Sequence, residues 1–350
     1  MSIKQNGVLY NRNTRSGAWL RSLHPPANEE TMESRSKAID VVVSEVGPRD
    51  GLQNVQRVMP TAIKQRWVAA LAESGLQEIE VGSCVNPRLL PQMADAEEVI
   101  RDAVRIPGLT VLALAPNLKG AQRAFEAGTH KLTMPISASR QHSQANIKMT
   151  PEEAVQQVAR VCELRDTLPI DRRPAVEVGL STAFGCTLEG RISEDYVMKL
   201  ANMCAEAGAD SVGLSDTVGA ANPAQVKRMF KALRRELGGK AGGGHFHNTR
   251  GQGLANVVAA LDADVATFDA SQGGMGGCPY APGASGNIVT EDLVFLLEAM
   301  GLRTGIDLDR LIAARAVLAA GLPGEPLYGH VQDAGVPKGF VWAKDLGAAA

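Results

Sequence analysis

Eight times between residue 39 and residue 302 a short β-branched run gives way to a longer segment of helical period, and this alternation constrains the fold more than any other feature of the chain. The spacing predicts strands over Ile39 to Val46, Glu78 to Gly82, Leu109 to Ala115, Lys131 to Pro135, Ala175 to Leu180, Ser211 to Leu214, Gly244 to His247 and Ala266 to Ala270. Apolar-periodic helices fall between them, over Ala62 to Ser74, Glu97 to Val104, Ala121 to Ala127, Pro151 to Arg165, Ser193 to Ala207, Pro223 to Leu237 and Gly253 to Asp262, with Thr290 to Met300 closing the series. Thr150-Pro151-Glu152-Glu153 and Ser193-Glu194-Asp195 each set a capping hydroxyl before first-turn acids, as a helix start requires. A closed parallel (β/α)8 TIM barrel and an open doubly wound sheet can both produce this pattern.

The placement of polar residues separates the two. In a closed barrel the C-terminal strand ends converge on one mouth, so reactive groups from distant parts of the chain should collect there. Arg49-Asp50 follows the first expected strand, Glu80 and Ser83 end the second, Ser215-Asp216 follow the sixth, His245 and His247 end the seventh, and Cys278 to Asn287 follow the eighth. The expected architecture is therefore an α/β barrel over 39–302, with a flexible extension over 1–38 and a C-terminal helix, cap and tail over 303–350. Within the last segment the Pro/Gly-rich stretch from Gly321 to Gly339 reads as a cap or a subunit contact.

Composition narrows the partners. With 36 basic and 38 acidic residues, a net charge of −2 gives no field to gather nucleic acid or an anionic membrane. No run approaches the roughly 20 apolar residues that a membrane helix needs. The five cysteines are scattered without a CxxC pair, so neither a disulfide framework nor a cysteine-rich zinc site is indicated, and a reducing cytoplasm fits. The first 28 residues carry Lys4, Arg12, Arg15 and Arg21 and no acid. Organellar targeting by this extension is thus the alternative to a cytoplasmic location.

His245-Phe246-His247 is the sharpest local element. Residues i and i+2 of a strand point to the same side, about 7 Å apart along it, so two imidazoles can meet one cation. Asp50 and Asn287 are the natural additions. Two nitrogens and two oxygens, with water or substrate completing the sphere, suit Mg2+ or Mn2+ better than a closed zinc site. Taken singly, Asp50 reads as a turn former before Gly51 and Asn287 as a helix cap; their joint placement favours ligation. Cys278 lies in a glycine-dense loop that can bring backbone and thiol close to a ligand, and a catalytic thiol fits there. A phosphate-cradling loop is the competing interpretation, but no GK[ST] ending follows.

Three segments together resemble the 3-hydroxy-3-methylglutaryl-CoA lyases, members of the metal-dependent lyase and synthase barrels. They are Val46-Gly47-Pro48-Arg49-Asp50-Gly51-Leu52-Gln53-Asn54, His245-Phe246-His247, and Gly276-Gly277-Cys278-Pro279-Tyr280-Ala281-Pro282-Gly283-Ala284-Ser285-Gly286-Asn287. The similarity runs from about 40 to 302. It implies a retro-Claisen cleavage of 3-hydroxy-3-methylglutaryl-CoA to acetyl-CoA and acetoacetate, with the CoA thioester as substrate rather than cofactor. It also implies that Asp50, His245, His247 and Asn287 bind the metal, that Arg49 stabilises the enolate oxygen and is held by Glu80, and that Cys278 donates the proton. Asp216 matches a position near the metal and its water, and Gln53 one that lines the substrate site. His245, Asp50 or a bound water would remove the hydroxyl proton.

Departures bear on the substrate. Gly185-Cys186-Thr187-Leu188-Glu189-Gly190 stands where these lyases have Gly-Cys-Pro-Tyr-Glu-Gly, Asn248 stands where they have Asp, and residues 131 to 147 also differ. A related 3-hydroxyacyl-CoA, such as citramalyl-CoA or a longer 3-alkyl analogue, is therefore a second expectation. A Claisen-type synthase on the same barrel and a metal-stabilised barrel that binds a CoA ester without catalysis are the other two. The expected assembly is a homodimer or higher homo-oligomer.

Overall fold

The strand formed by Val42–Glu45 (β1) lies between the second strand and the last, and this double pairing closes the sheet. The structure is a computed structural model, and it describes residues 39–277 and 286–346. After β1 come Glu78–Ser83 (β2), Thr110–Leu114 (β3), Lys131–Ser137 (β4), Ala175–Ser181 (β5), Ser211–Asp216 (β6), Ala241–Phe246 (β7) and Thr267–Ala270 (β8). All neighbours pair in parallel, in chain order, around a closed barrel. Closure excludes the open sheet.

The connecting helices are Thr61–Glu73 (α1), Ala96–Ala103 (α2), Leu118–Ala127 (α3), Arg140–Ile147 (α4), Pro151–Asp166 (α5), Glu194–Glu206 (α6), Pro223–Leu237 (α7), Gly253–Leu261 (α8) and Thr290–Ala299 (α9). All but α4 bury apolar residues on their inner face. In α7 the buried residues are Val226, Met229, Phe230 and Leu233, a spacing of three, one and three that puts them on one face. The start signals operate as expected. Thr150 and Glu153 form a reciprocal capping box on α5, and the Ser193 hydroxyl accepts from the Tyr196 N–H on α6.

Element bounds shift by a few residues throughout, and two differences from the sequence expectation have a clear local cause. Strand β7 begins at Ala241 instead of Gly244, and the added residues, an alanine and two glycines, have weak strand preference. Those glycines allow close strand approach: a Cβ on Gly243 would lie 2.7 Å from the Thr267 carbonyl oxygen. The same strand ends at Phe246, so His247 sits just beyond it and is held by an isolated bridge to Asn287. Helix α4 was not expected, because its polar composition carries no apolar stripe; the Ser139 side chain caps it by accepting from the His142 N–H.

Past the barrel, Leu308–Gly321 (α10) lies against α1, close enough that a Cβ on Gly321 would meet Met59 and Ile63 within 3 Å. The following segment returns to the barrel. The Tyr328 N–H donates to the Gly273 carbonyl at 2.8 Å, and the His330 and Val331 N–H groups donate to Asp292. Among the described residues no helix is long and apolar enough to cross a membrane.

Candidate metal centre and active site

The chain leaves β1 through a π-helical turn, Gly47–Gly51, in which the Val46 carbonyl accepts from the N–H groups of Arg49, Asp50 and Gly51. That turn aims Arg49 and Asp50 at the barrel mouth. Glu45, with no solvent exposure, anchors it: its carboxylate accepts from Gly47 N at 2.7 Å, Gln272 N at 2.9 Å and the Thr290 hydroxyl at 2.6 Å. Burial pushes the Glu45 carboxyl up to about 8 despite those donors.

Arg49 is buried and doubly engaged. Its Nε donates to Glu80 Oε2 at 2.5 Å and its Nη1 to Asp50 Oδ1 at 2.6 Å. Burial works against the guanidinium charge, but the carboxylates of Glu80 and Asp50 outweigh it and hold Arg49 above its ordinary value. For Asp50, burial is likewise outweighed, by Arg49, His245 and His247, and the carboxyl is held below the usual range. Glu80 Oε1, also buried, has no partner among the described residues.

Asp50, His245 and His247 present one ligand atom each, all within 4.8 Å of one another. The two imidazole centroids are 5.1 Å apart, and His247 Nε2 lies 3.9 Å from Asp50 Oδ2. Asn287 completes the group, its Nδ2 donating to Asp50 Oδ2 at 2.6 Å and to the Met275 carbonyl at 3.0 Å. It does not cap α9, whose N-cap is Val289. Burial and the neighbouring His245 push His247 down to about 3, so it is a neutral ligand-ready imidazole.

These residues fit a divalent ion on structural grounds. Asn287 Oδ1 is buried without a hydrogen-bond partner, an oxygen whose desolvation a cation would compensate. The backbone is also cut back to make room: Gly276 has φ +100°, and a Cβ there would lie 2.6 Å from Asn287 Nδ2 and 3.0 Å from Asp50 Oδ2. Imidazole nitrogen, carboxylate and amide oxygen together make an open, oxygen-containing set unlike a closed structural zinc site.

The other expected site residues are distributed as follows. Gln53 donates to Asp50 Oδ1 at 2.9 Å, which places it at the centre's edge. Asp216 ends β6 and accepts from the N–H groups of Ala220 and Ala221, outside the three-residue ligand group; burial raises it to about 6. Cys278 lies outside the described residues. Two residues escaped the sequence reading. Glu45 carries no local motif, and Asp269 on β8, 3.0 Å from His245 Nδ1, is visible only as the inward-facing partner of Thr267 in an alternating strand. The two segments that depart from the lyase pattern touch each other: Glu189 Oε2 accepts from the Ser139 hydroxyl at 2.7 Å and from Gln141 N at 3.2 Å.

Comparison with known proteins accords with this geometry. The HMGL-like family model matches residues 40–318. The chain is 40% identical over 274 residues to hydroxymethylglutaryl-CoA lyase YngG of Bacillus subtilis, covering 78% of this chain and 90% of that protein. It is 41% identical over 272 residues to the mitochondrial hydroxymethylglutaryl-CoA lyase of Gallus gallus, with the same coverage. Among solved structures, an HMG-CoA lyase from Acinetobacter baumannii in complex with coenzyme A and 3-methylmalate superposes with a TM-score of 0.80 at 40% identity, over 86% of this chain and 97% of that one. A closed barrel with this mouth and relatives of this similarity lead to one conclusion: the chain belongs to the HMGL-like family.

Proposed function

We propose that the chain is a carbon–carbon lyase that cleaves 3-hydroxy-3-methylglutaryl-CoA to acetyl-CoA and acetoacetate. The observation that carries this reading is the contact of Arg49 with Asp50, which sets a fixed cationic donor beside the cluster of Asp50, His245 and His247. Similar lyases of about 40% identity support the substrate.

Breaking a bond beta to a thioester carbonyl leaves an enolate in one product and a ketone in the other. Asp50, His245, His247 and Asn287 Oδ1 would hold Mg2+ or Mn2+, which would supply Lewis-acid activation of the tertiary hydroxyl. A base at the centre, Asp50 or a bound water, takes the hydroxyl proton, while His245, with Nδ1 turned to Asp269, is left to hold the ion. As the bond breaks, the guanidinium of Arg49 donates to the oxygen on which thioester charge develops. Glu80 holds the Arg49 fork in place, so no reorganisation is needed at that moment. Cys278 then delivers a proton to the enolate carbon, releasing acetyl-CoA. Gln53 borders the acyl group, and Asp216 orders the β6 loop next to it.

A second reading keeps the chemistry and changes the acyl group to a related 3-hydroxyacyl-CoA. It rests on Thr187 and Leu188, which depart from the lyase pattern, and on the Glu189 contact with Ser139 and Gln141 that joins their segment to the other departing one. A CoA thioester is common to both readings, and the coenzyme A in the Acinetobacter relative supports it. Free thiols at Cys84, Cys162, Cys186 and Cys204 support a reducing, cytoplasmic location.

The deciding experiment incubates purified protein and Mg2+ with 3-hydroxy-3-methylglutaryl-CoA, citramalyl-CoA and longer 3-alkyl analogues, following acetyl-CoA and the released carbonyl product. Metal-dependent acetyl-CoA release from the first substrate is expected. Release only from another thioester selects the second reading, and no release from any of them rejects the lyase assignment.

A further inference from the structure

We infer that Asp269 is a positioning residue that sets the tautomer and aim of His245 at the cation centre, an inference that rests on the metal reading above. His245 on β7 and Asp269 on β8 are Cα partners in the parallel register, so both side chains leave the sheet at the same level. Asp269 Oδ2 lies 3.0 Å from His245 Nδ1. The two ring nitrogens are on opposite sides of an imidazole. Engaging Nδ1 as the donor leaves the Nε2 lone pair for the cation.

The neighbouring ligand has no such support. His247 is 4% exposed, its Nε2 is the nitrogen near Asp50, and its Nδ1 has no hydrogen-bond partner among the described residues. The two imidazoles are therefore inequivalent: among the described residues a carboxylate engages His245 Nδ1, and nothing engages His247 Nδ1. The Asp269 side chain is 33% exposed, so solvent screens its charge, and the direction of the hydrogen bond is the larger part of its effect. An amide oxygen can accept the same bond. Asp269→Asn should therefore preserve most of the function that Asp269→Ala removes.

Mn2+ binding to the purified full-length protein, followed by electron paramagnetic resonance, provides the test. D269A is expected to bind Mn2+ about 10- to 100-fold more weakly than wild type, with D269N close to wild type. The visible spectrum of the Co2+-loaded protein should change in D269A and be restored in D269N. Wild-type Mn2+ affinity in a folded D269A, even with a lowered melting temperature, would make Asp269 merely structural and overturn the inference. Equal weakening in D269N and D269A would also overturn it, since the charge or direct ligation would then matter and not the acceptor. His247→Ala separates the two levels. If it weakens binding while D269A does not, the Asp269 inference alone fails; if wild type itself binds no Mn2+, the metal reading fails and this inference with it.

Discussion

Asn287 donates its amide N–H to Asp50, 237 positions earlier in the chain, while its own buried amide oxygen has no hydrogen-bond partner among the described residues. One amide thus orients the Asp50 carboxylate and leaves an oxygen of its own free to meet a cation. Asn287→Ala is expected to weaken divalent-cation binding and to abolish most of the thermal stabilisation that Mg2+ confers. A ligand present at 100 times its Kd stabilises by about 2.7 kcal/mol, so the wild-type melting temperature should rise measurably with metal. An equal rise in the variant would remove Asn287 from the centre.

Arg49 bridges Glu80 and Asp50 through two different nitrogens, a geometry that a single ammonium reproduces poorly. Arg49→Lys is expected to lower kcat by roughly 100- to 1,000-fold, the usual cost of losing a fixed donor to a developing oxyanion, with a much smaller change in KM. Steady-state kinetics distinguish this from a binding defect. A loss confined to KM would assign Arg49 to ground-state binding instead.

Gly276 faces both Asn287 and Asp50 at a left-handed backbone angle. Gly276→Ala combines about 1–2 kcal/mol of conformational cost with displacement of the Asn287 and Asp50 side chains, so metal affinity should fall. Gly324, with φ +82° and open space around its Cβ position, supplies the control. Gly324→Ala should lose a similar stability and keep its metal affinity. Parallel titrations of the two variants make the comparison.

The Glu45 carboxyl, pushed up to about 8 by burial, lies far above the ordinary carboxylate value. Because its folded pKa exceeds its unfolded one, its contribution to stability is complete below about 4.5 and is lost as pH rises through about 8. Glu45→Gln can keep all three contacts, accepting from Gly47 and Gln272 and donating to Thr290. Its unfolding free energy should therefore decline less between pH 5 and 9 than that of wild type. Parallel denaturant curves across that range would contradict the assignment.

Cys278→Ser is expected to retain metal affinity and lose most turnover, since a hydroxyl is a far weaker acid than a thiol. Turnover at the wild-type rate would take the thiol out of the reaction.

Much of the fold was legible because strand and helix periods are local. Eight β-branched runs separated by amphipathic segments name a parallel sheet without any long-range information, and the strong caps at Thr150 and Ser193 mark helix starts within four residues. Where local preference was weak, the reading faltered. Gly242 and Gly243 lie in β7 against their strand preference, at positions where neighbouring backbones approach too closely for a side chain, and α4 is a polar helix without a stripe. At the site, the pattern HxH and the glycine-dense loop stood out by composition. Glu45 and Asp269 did not, because a single acid in a short strand has no local signature.

Residue chemistry and short-range spacing therefore account for the alternation, for the donor types at the mouth and for their placement at strand ends. They leave undetermined which groups meet. Closure between β1 and β8 brings the turn after residue 45 against the segment after residue 270, and from that contact follow the Asp50–Asn287 bond and the burial of Glu45. The protonation of Glu45 and His247 is a property of that enclosure: desolvation and facing charges, not the amino-acid types, move them from their ordinary values. Pairing and solvent exclusion are long-range, and they exist only once the barrel has closed.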